Sequence, residues 1–456
     1  MSTLIKNGTV VTAVDTYRAD VLIEGETIAA VGTGLAADGA KVIDATDRYV
    51  IPGGIDIHTH LDMPFGGSQS SDDFYTGTVA AACGGTTSLV DFAIPEPGGT
   101  LQGGFDTWMG KAEGKAVIDY GFHMILREYT PALGDEIAAM VERGVTSFKL
   151  FTAYPGVFLM DDGAIFQTMQ RAAEVGGLIC VHAENGRMID TLVAQALARG
   201  ETAPQYHALT RPPRAEAEAT ARVIALAEVA GARVYIVHLT CAEALDEVKR
   251  ARARGAQVFA ETCPQYLFLS YQNYLEPDFG GAKYVMSPPL RDPARQNELW
   301  QGLAADDLQV VSTDHCPFPM KDKRMGEGNF TKIPNGAPGI ETRMSLMFDG
   351  GVREGRLSLN RWIEVTSTAP AKMFGLYPKK GTIAPGADAD LVVFDPEAKT
   401  TLSAKTLHQN VDYCPYEGRV VHGVSETVLS RGRVIVEKGS FTGTPGAGQY
   451  LRRDPR

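Results

Sequence analysis

The chain has 456 residues, more than one ordinary domain holds, and a barrel of about 250 residues with a smaller companion unit fits that length. Apolar residues make up 44% of it, enough for a large core, which excludes global disorder. Acidic side chains outnumber basic ones, 55 against 43, for a net charge of −12, so neither nucleic acid nor an anionic membrane is expected as a main partner.

The opening residues MSTLIKNGTV lack a basic run followed by a long apolar one, so no signal peptide is expected. No stretch approaches the roughly 20 apolar residues that span a bilayer. Cys83, Cys180, Cys241, Cys263, Cys316 and Cys414 are scattered without CxxC spacing, which suits reduced thiols in a cytoplasmic protein.

In chain order, the first fifty residues read as short strands: LIKNGTVV, RADVLIEGETIAAVG and AKVIDATDRYVIPG, with turn signals at Asn7-Gly8 and Glu24-Gly25. So small a sheet buries little core alone. Similar material returns near 381–396 and 425–441, so the two ends of the chain are expected to pair into one β-sandwich. Between them the texture changes to apolar runs followed by Ala-rich helical stretches such as 214–230 and 242–254. The runs fall at 54–60, 86–92, 119–126, 145–151, 177–184, 233–239, 256–262 and 308–314. Runs apolar throughout are those of parallel strands buried on both faces. Eight βα units predict an α/β fold, a (β/α)₈ TIM barrel flanked by the sandwich. The expected division is 1–53 and 376–441 for the two parts of the sandwich, 54–375 for the barrel, and 442–456 for a tail. That Gly-, Pro- and Arg-rich tail either docks on a neighbouring surface or is loose.

The metal-type residues fall at one place in this pattern. His58 and His60 sit two apart at the end of the first strand and share a face. Lys149, His182, His238 and Asp314 each end another strand, at the C-terminal mouth where barrel active sites form. Imidazole and carboxylate ligands suit Zn²⁺, Mn²⁺ or Co²⁺, and two such ions about 3.5–4 Å apart can share a hydroxide that is a strong nucleophile at neutral pH. A lone histidine is more often a core or loop residue bonded to a carbonyl, but this set is not explained that way. Lys149 is anomalous, since a protonated lysine repels metals. Either it pairs with a carboxylate, or CO₂ has added to its amine to give an anionic carbamate.

GGIDIHTH, SFKLFTAY, VHAENG, YIVHLTC, MSPPLR, STDHCPF and IPNGAPGIE occur in this order, and with GTIAPGADADLVVFDP they cover nearly the whole chain. The set resembles the dihydropyrimidinase/D-hydantoinase family of the amidohydrolase superfamily. The resemblance implies a barrel with a flanking sandwich, a homotetramer, and two divalent metal ions per subunit bridged by a carboxylated lysine and a hydroxide. The matching metal ligands are His58, His60, Lys149 (as N6-carboxylysine), His182, His238 and Asp314. The matching catalytic residues are Asp314, as proton shuttle, and Tyr154, whose hydroxyl stabilises the oxyanion. Ser287 and Asn335 match residues whose backbone groups hold a cyclic amide or imide. Without the resemblance, Tyr154 reads as a packing residue and the other two as routine loop positions.

The implied reaction is hydrolytic ring opening of dihydrouracil, dihydrothymine or 5-substituted hydantoins to N-carbamoyl amino acids. Dihydroorotase follows its His-x-His with x-Arg, where this chain has Asp62; allantoinase usually has Asn there. The collapsin-response mediator proteins share the fold without the ligands, all six of which are present here. Phe65, Phe151 and Phe158 are either a lid over the ring substituent or ordinary loop anchors. Cys263 and Cys316 read as structural, His315 as at most a support for a ligand, His123 as having no ligand role, and His207, His408 and His422 as surface or loop residues.

Overall fold

A computed structural model describes residues 2–65 and 67–455. Its centre is a sheet of eight parallel strands: Gly54–Thr59, Thr86–Ala93, Asp119–Ile125, Ser147–Phe151, Leu178–His182, Val234–Ile236, Val258–Thr262 and Val310–Val311. They pair in chain order. All eight predicted runs supply a strand, and nearly every strand residue is buried, as strands covered on both faces require. The intervening helices start where the local sequence offers a cap. Thr100, Thr130, Asp161 and Asn185 each accept a hydrogen bond from a first-turn N–H through the side chain. The helices expected at 214–230 and 242–254 are Pro213–Ala230 and Ala242–Ala253.

The eighth strand keeps only two ladder residues of the seven expected, and three residues beyond it the chain turns at Asp314, whose φ is +54°. The seam between first and eighth strands is closed by side chains instead. The fully buried Arg343 guanidinium donates to the carbonyls of Ile55 (3.0 Å) and Val311 (2.9 Å). The Asp56 carboxylate accepts from Thr313 Oγ1 at 2.6 Å, and a backbone bridge joins Thr59 to His315. A Cβ at Gly54 would lie 2.9 Å from that guanidinium, so the first strand opens on a glycine.

Two further sheets lie outside the barrel, the larger packed through Val420–Ser430 on the helix Arg343–Met347. One has four strands from the N-terminal segment, in the order Thr27–Gly32, Asp20–Glu24, Ser2–Lys6, Lys41–Asp44. The other has seven and mixes both ends of the chain, with Tyr49–Pro52 antiparallel to Leu391–Thr401. They share a core of Ile5, Val10, Val21, Ile23, Leu391 and Leu429, separate from that of the barrel. Residues after 442 run along the starts of the third and fourth barrel strands. There Leu451 N donates to Tyr120 O (2.6 Å), and the buried Arg453 donates to Ser147 Oγ (2.8 Å) and Phe122 O. Among the described residues no helix is long and apolar enough to cross a membrane.

Candidate metal centre

The strand-end placement brings the expected residues together. His58, His60, Lys149, His182, His238 and Asp314 all line one cavity of about 60 Å³ at the C-terminal end of the barrel, with Tyr154, Ser287 and Asn335 on its walls. The Nε2 atoms of His58 and His60 lie 3.1 and 3.2 Å from Asp314 Oδ1. His182 Nδ1 faces His238 Nε2 at 3.0 Å. Ligand atoms of His58, His238 and Asp314 lie within 4.8 Å of one another. His238, Asp314 and Tyr154 all carry positive φ (+39°, +54° and +60°), backbone that non-glycine residues adopt at a cost and that clusters at functional sites.

Outer carboxylates fix which nitrogen the His58 and His182 rings turn inward. His58 Nδ1 donates to Glu261 Oε1, whose carboxylate also takes the His238 N–H (3.0 Å) and the Tyr235 hydroxyl (3.0 Å). His182 Nε2 donates to Glu184 Oε2 at 2.9 Å. The inward nitrogens of these two rings, His58 Nε2 and His182 Nδ1, therefore present lone pairs, which is the tautomer a metal ligand needs. His58 Nε2, His60 Nδ1 and His238 Nδ1 are buried and make no hydrogen bond, so the cluster holds polar nitrogens that the protein itself leaves unsatisfied. Four imidazoles and a carboxylate around one cavity, with buried nitrogens left unsatisfied, fit a divalent ion of the zinc type.

The electrostatics agree. Burial pushes His60 down to about 4 and His182 and His238 below their ordinary values, keeping these rings neutral. At His58 burial acts in the same direction, but Asp314 and Glu261 outweigh it and raise the ring above its ordinary value. Burial opposes the Asp314 carboxylate, yet the neighbouring imidazoles hold it well below its usual range. Lys149 is pushed down to about 8 by burial. Its amine lies 4.6 Å from the Phe92 ring and 5.1 Å from Phe151, and pairs with no carboxylate among the described residues. Of the two readings open for this lysine, the ion pair is absent.

Tyr154 turns its hydroxyl towards Ser287 and Asn335, and burial raises it to about 12. Asn335 Nδ2 donates to Ser287 Oγ at 3.2 Å. Gly336 follows with φ +144°, and a Cβ there would meet Cys316 O at 2.3 Å. Phe65, Phe151 and Phe158 line the cavity, the last two stacked at 4.9 Å. Phe65, Tyr154, Phe158 and Asn335 also border an outer cavity of about 610 Å³. Cys316 lines the inner cavity with its thiol raised by burial, and Cys263 Sγ lies 3.6 Å from Ser312 Oγ. His315 Nδ1 accepts from Gly339 N (3.0 Å) and its Nε2 donates to Asp72 (3.0 Å), so it braces the seam. His123 is held by Ser147 Oγ (2.6 Å) and Ile57 O (2.8 Å).

Two histidines differ from expectation. His207 is not a surface residue: the helix Gln205–Leu209 packs against Tyr271–Leu275 and Phe330–Lys332, which buries the ring 2.8 Å from Met286 O and 3.3 Å from Ser287 Oγ. His422 is half-buried within the strand Val420–Ser430, its Nδ1 3.0 Å from Asp349. Glu184, Glu261 and Asp91, the last accepting from Thr59 Oγ1, Leu61 N and Trp108 Nε1, are functional supports that sequence reading missed.

Residues 49–435 match the model of the amidohydrolase family. The chain belongs to the amidohydrolase family. This amidohydrolase is 57% identical to a D-hydantoinase of Streptomyces coelicolor, over 99% of the chain and 98% of that relative. It is 53% identical to a D-hydantoinase of Geobacillus stearothermophilus, over 99% and 97%. Among solved structures, the dihydropyrimidinase of Brevibacillus agri NCHU1002 superposes with a TM-score of 0.99 at 53% identity, covering 100% of this chain and 99% of that one. The L-hydantoinase (dihydropyrimidinase) of Arthrobacter aurescens gives 0.90 at 31% identity, with 99% of each covered.

Proposed function

We propose that this amidohydrolase is a dihydropyrimidinase/hydantoinase, opening the rings of 5,6-dihydropyrimidines and 5-substituted hydantoins to N-carbamoyl amino acids. The observation that carries the reading is the convergence of four imidazoles, Asp314 and an unpaired Lys149 on one cavity walled by Tyr154, Ser287 and Asn335. In this reading His58, His60, His182, His238 and Asp314, with Lys149 as its carbamate, would hold two divalent ions. The ions, Zn²⁺ first with Mn²⁺ or Co²⁺ as substitutes, supply a Lewis acid and a hydroxide at neutral pH.

The protein's own groups do the rest. The Tyr154 hydroxyl donates to the ring carbonyl oxygen, a bond that strengthens as that oxygen becomes an oxyanion. Backbone groups at Ser287 and Asn335 hold the amide edge of the ring. Asp314 takes the proton of the attacking water and returns it to the ring nitrogen as the C–N bond breaks. Hydroxyl ends on carbon and hydrogen on nitrogen, which leaves a carboxylate and an N-carbamoyl amine. Phe65, Phe151 and Phe158 enclose the substituent.

The D-hydantoinase names of the relatives at 57% and 53% identity, against 31% for an L-hydantoinase, favour the D-hand. The reading carries a homotetramer, which sedimentation or light scattering measures. Its test is turnover on dihydrouracil, dihydrothymine, hydantoins of both hands, allantoin and dihydroorotate. The expected products are N-carbamoyl amino acids from the first three classes, with D-hydantoins preferred. Turnover confined to allantoin or dihydroorotate overturns it.

A further inference from the structure

Lys323 lies in MKDKRMGEG, a stretch whose density of charge reads as a solvated surface. It is instead fully buried, at the end of the four-residue helix Met320–Lys323. Its Nζ donates to three backbone carbonyls, Val285 (2.9 Å), Pro334 (2.7 Å) and Gly336 (2.6 Å). Pro334 and Gly336 flank Asn335, and Val285 precedes Ser287 by two residues. The two loops also bond to each other, through Gly336 N to Val285 O (3.0 Å) and Asn335 Nδ2 to Ser287 Oγ (3.2 Å). On the same short helix, the Asp322 carboxylate accepts from Ser68 Oγ at 2.7 Å and so anchors the hairpin that carries Phe65.

Burying an ammonium without a counter-ion is costly, and burial pushes this amine down to about 7. An apolar side chain would fill the space without that cost, so what the lysine adds is its bonds. Three N–H groups meet three carbonyls, each bond strengthened by the charge. A neutral amine offers only two donors and leaves one buried carbonyl unbonded. Lys323 does not line the cavity, and it acts on the substrate only through the two loops.

We propose that Lys323 is a positioning residue, clamping the Ser287 and Asn335 loops in the spacing that receives the amide edge of the ring, so that it governs substrate binding and not the chemical step. The inference rests on the hydantoinase reading of the same site. Its test is steady-state kinetics of metal-loaded wild type, Lys323→Met and Lys323→Gln on a 5-substituted hydantoin, with metal content measured alongside. Loss of binding shared by ground and transition states raises KM and leaves kcat. The expected result is a KM about 10-fold or more higher in Lys323→Met with kcat within about 3-fold, and an intermediate KM in Lys323→Gln, both at wild-type metal content. Should Lys323→Met fail to fold, Lys323→Gln decides, since its amide keeps two of the three donors. A wild-type KM in the folded variants, or a fall in kcat that follows lost metal, overturns the inference. Wild-type protein that opens no hydantoin fails the functional reading instead.

Discussion

Glu261 touches three groups of the site at once, the His58 ring, the His238 backbone N–H and the Tyr235 hydroxyl, and is completely buried. Glu261→Gln keeps the volume but removes the charge that holds the His58 lone pair inward. Metal affinity is expected to fall about 10–100-fold, read by titration against a metal buffer. Tyr154→Phe removes a donor that matters only as the oxyanion forms, so kcat is expected to fall about 10²–10³-fold with KM nearly unchanged. Unequal legibility at this scale has a physical cause. The four histidines and Asp314 of the candidate site announce themselves because strand ends in a barrel share one mouth. Lys149 does not, since nothing in a lysine's neighbours in sequence says whether its amine is free. Glu261 and Lys323 are more hidden still. Each looks like an ordinary charged residue until partners far along the chain are placed beside it: His58 is 203 residues from Glu261, and Val285 is 38 from Lys323.

At the scale of elements, all eight barrel strands were legible as apolar runs, because double burial writes itself into every residue of a strand. How the barrel closes was not. Ladder pairing is visible in a pattern of side chains, whereas this seam is carried by Arg343, Asp56 and Thr313, each of which would suit a loop. Arg343→Met leaves the Ile55 and Val311 carbonyls buried and unbonded, and a loss of about 3 kcal/mol or more is expected from a denaturation midpoint. A pH-dependent contact ties the 402–418 segment to the loop after His315, where Glu341 accepts from His408 Nδ1 at 2.7 Å. That bond raises His408 above its ordinary value. A group raised in the folded state stabilises fully below its unfolded value of about 6.5 and ceases to as pH rises through the folded one. The stability gap between wild type and His408→Gln is therefore expected to be widest in mild acid and to close towards alkaline pH, in paired unfolding curves.

For the whole molecule, the arrangement separates tasks by end. The sandwich has a core of its own, the 442–455 segment lies at the starts of the third and fourth barrel strands, and the candidate metal site lies at the strand ends. We propose that the chain divides at 53/54, 375/376 and 441/442, since Pro52 ends a sandwich strand and Gly54 begins the first barrel strand. The inner cavity of about 60 Å³ shares Phe65, Tyr154, Phe158 and Asn335 with the outer one of about 610 Å³. The central claim, that six side chains make a two-metal centre on which ring opening depends, is tested most directly by reconstitution. Protein stripped with a chelator is titrated with Zn²⁺ while turnover of a 5-substituted hydantoin is followed. Turnover is expected to be absent without metal and complete at about two ions per chain. Full turnover by metal-free protein, or none in folded protein carrying both ions, would contradict it.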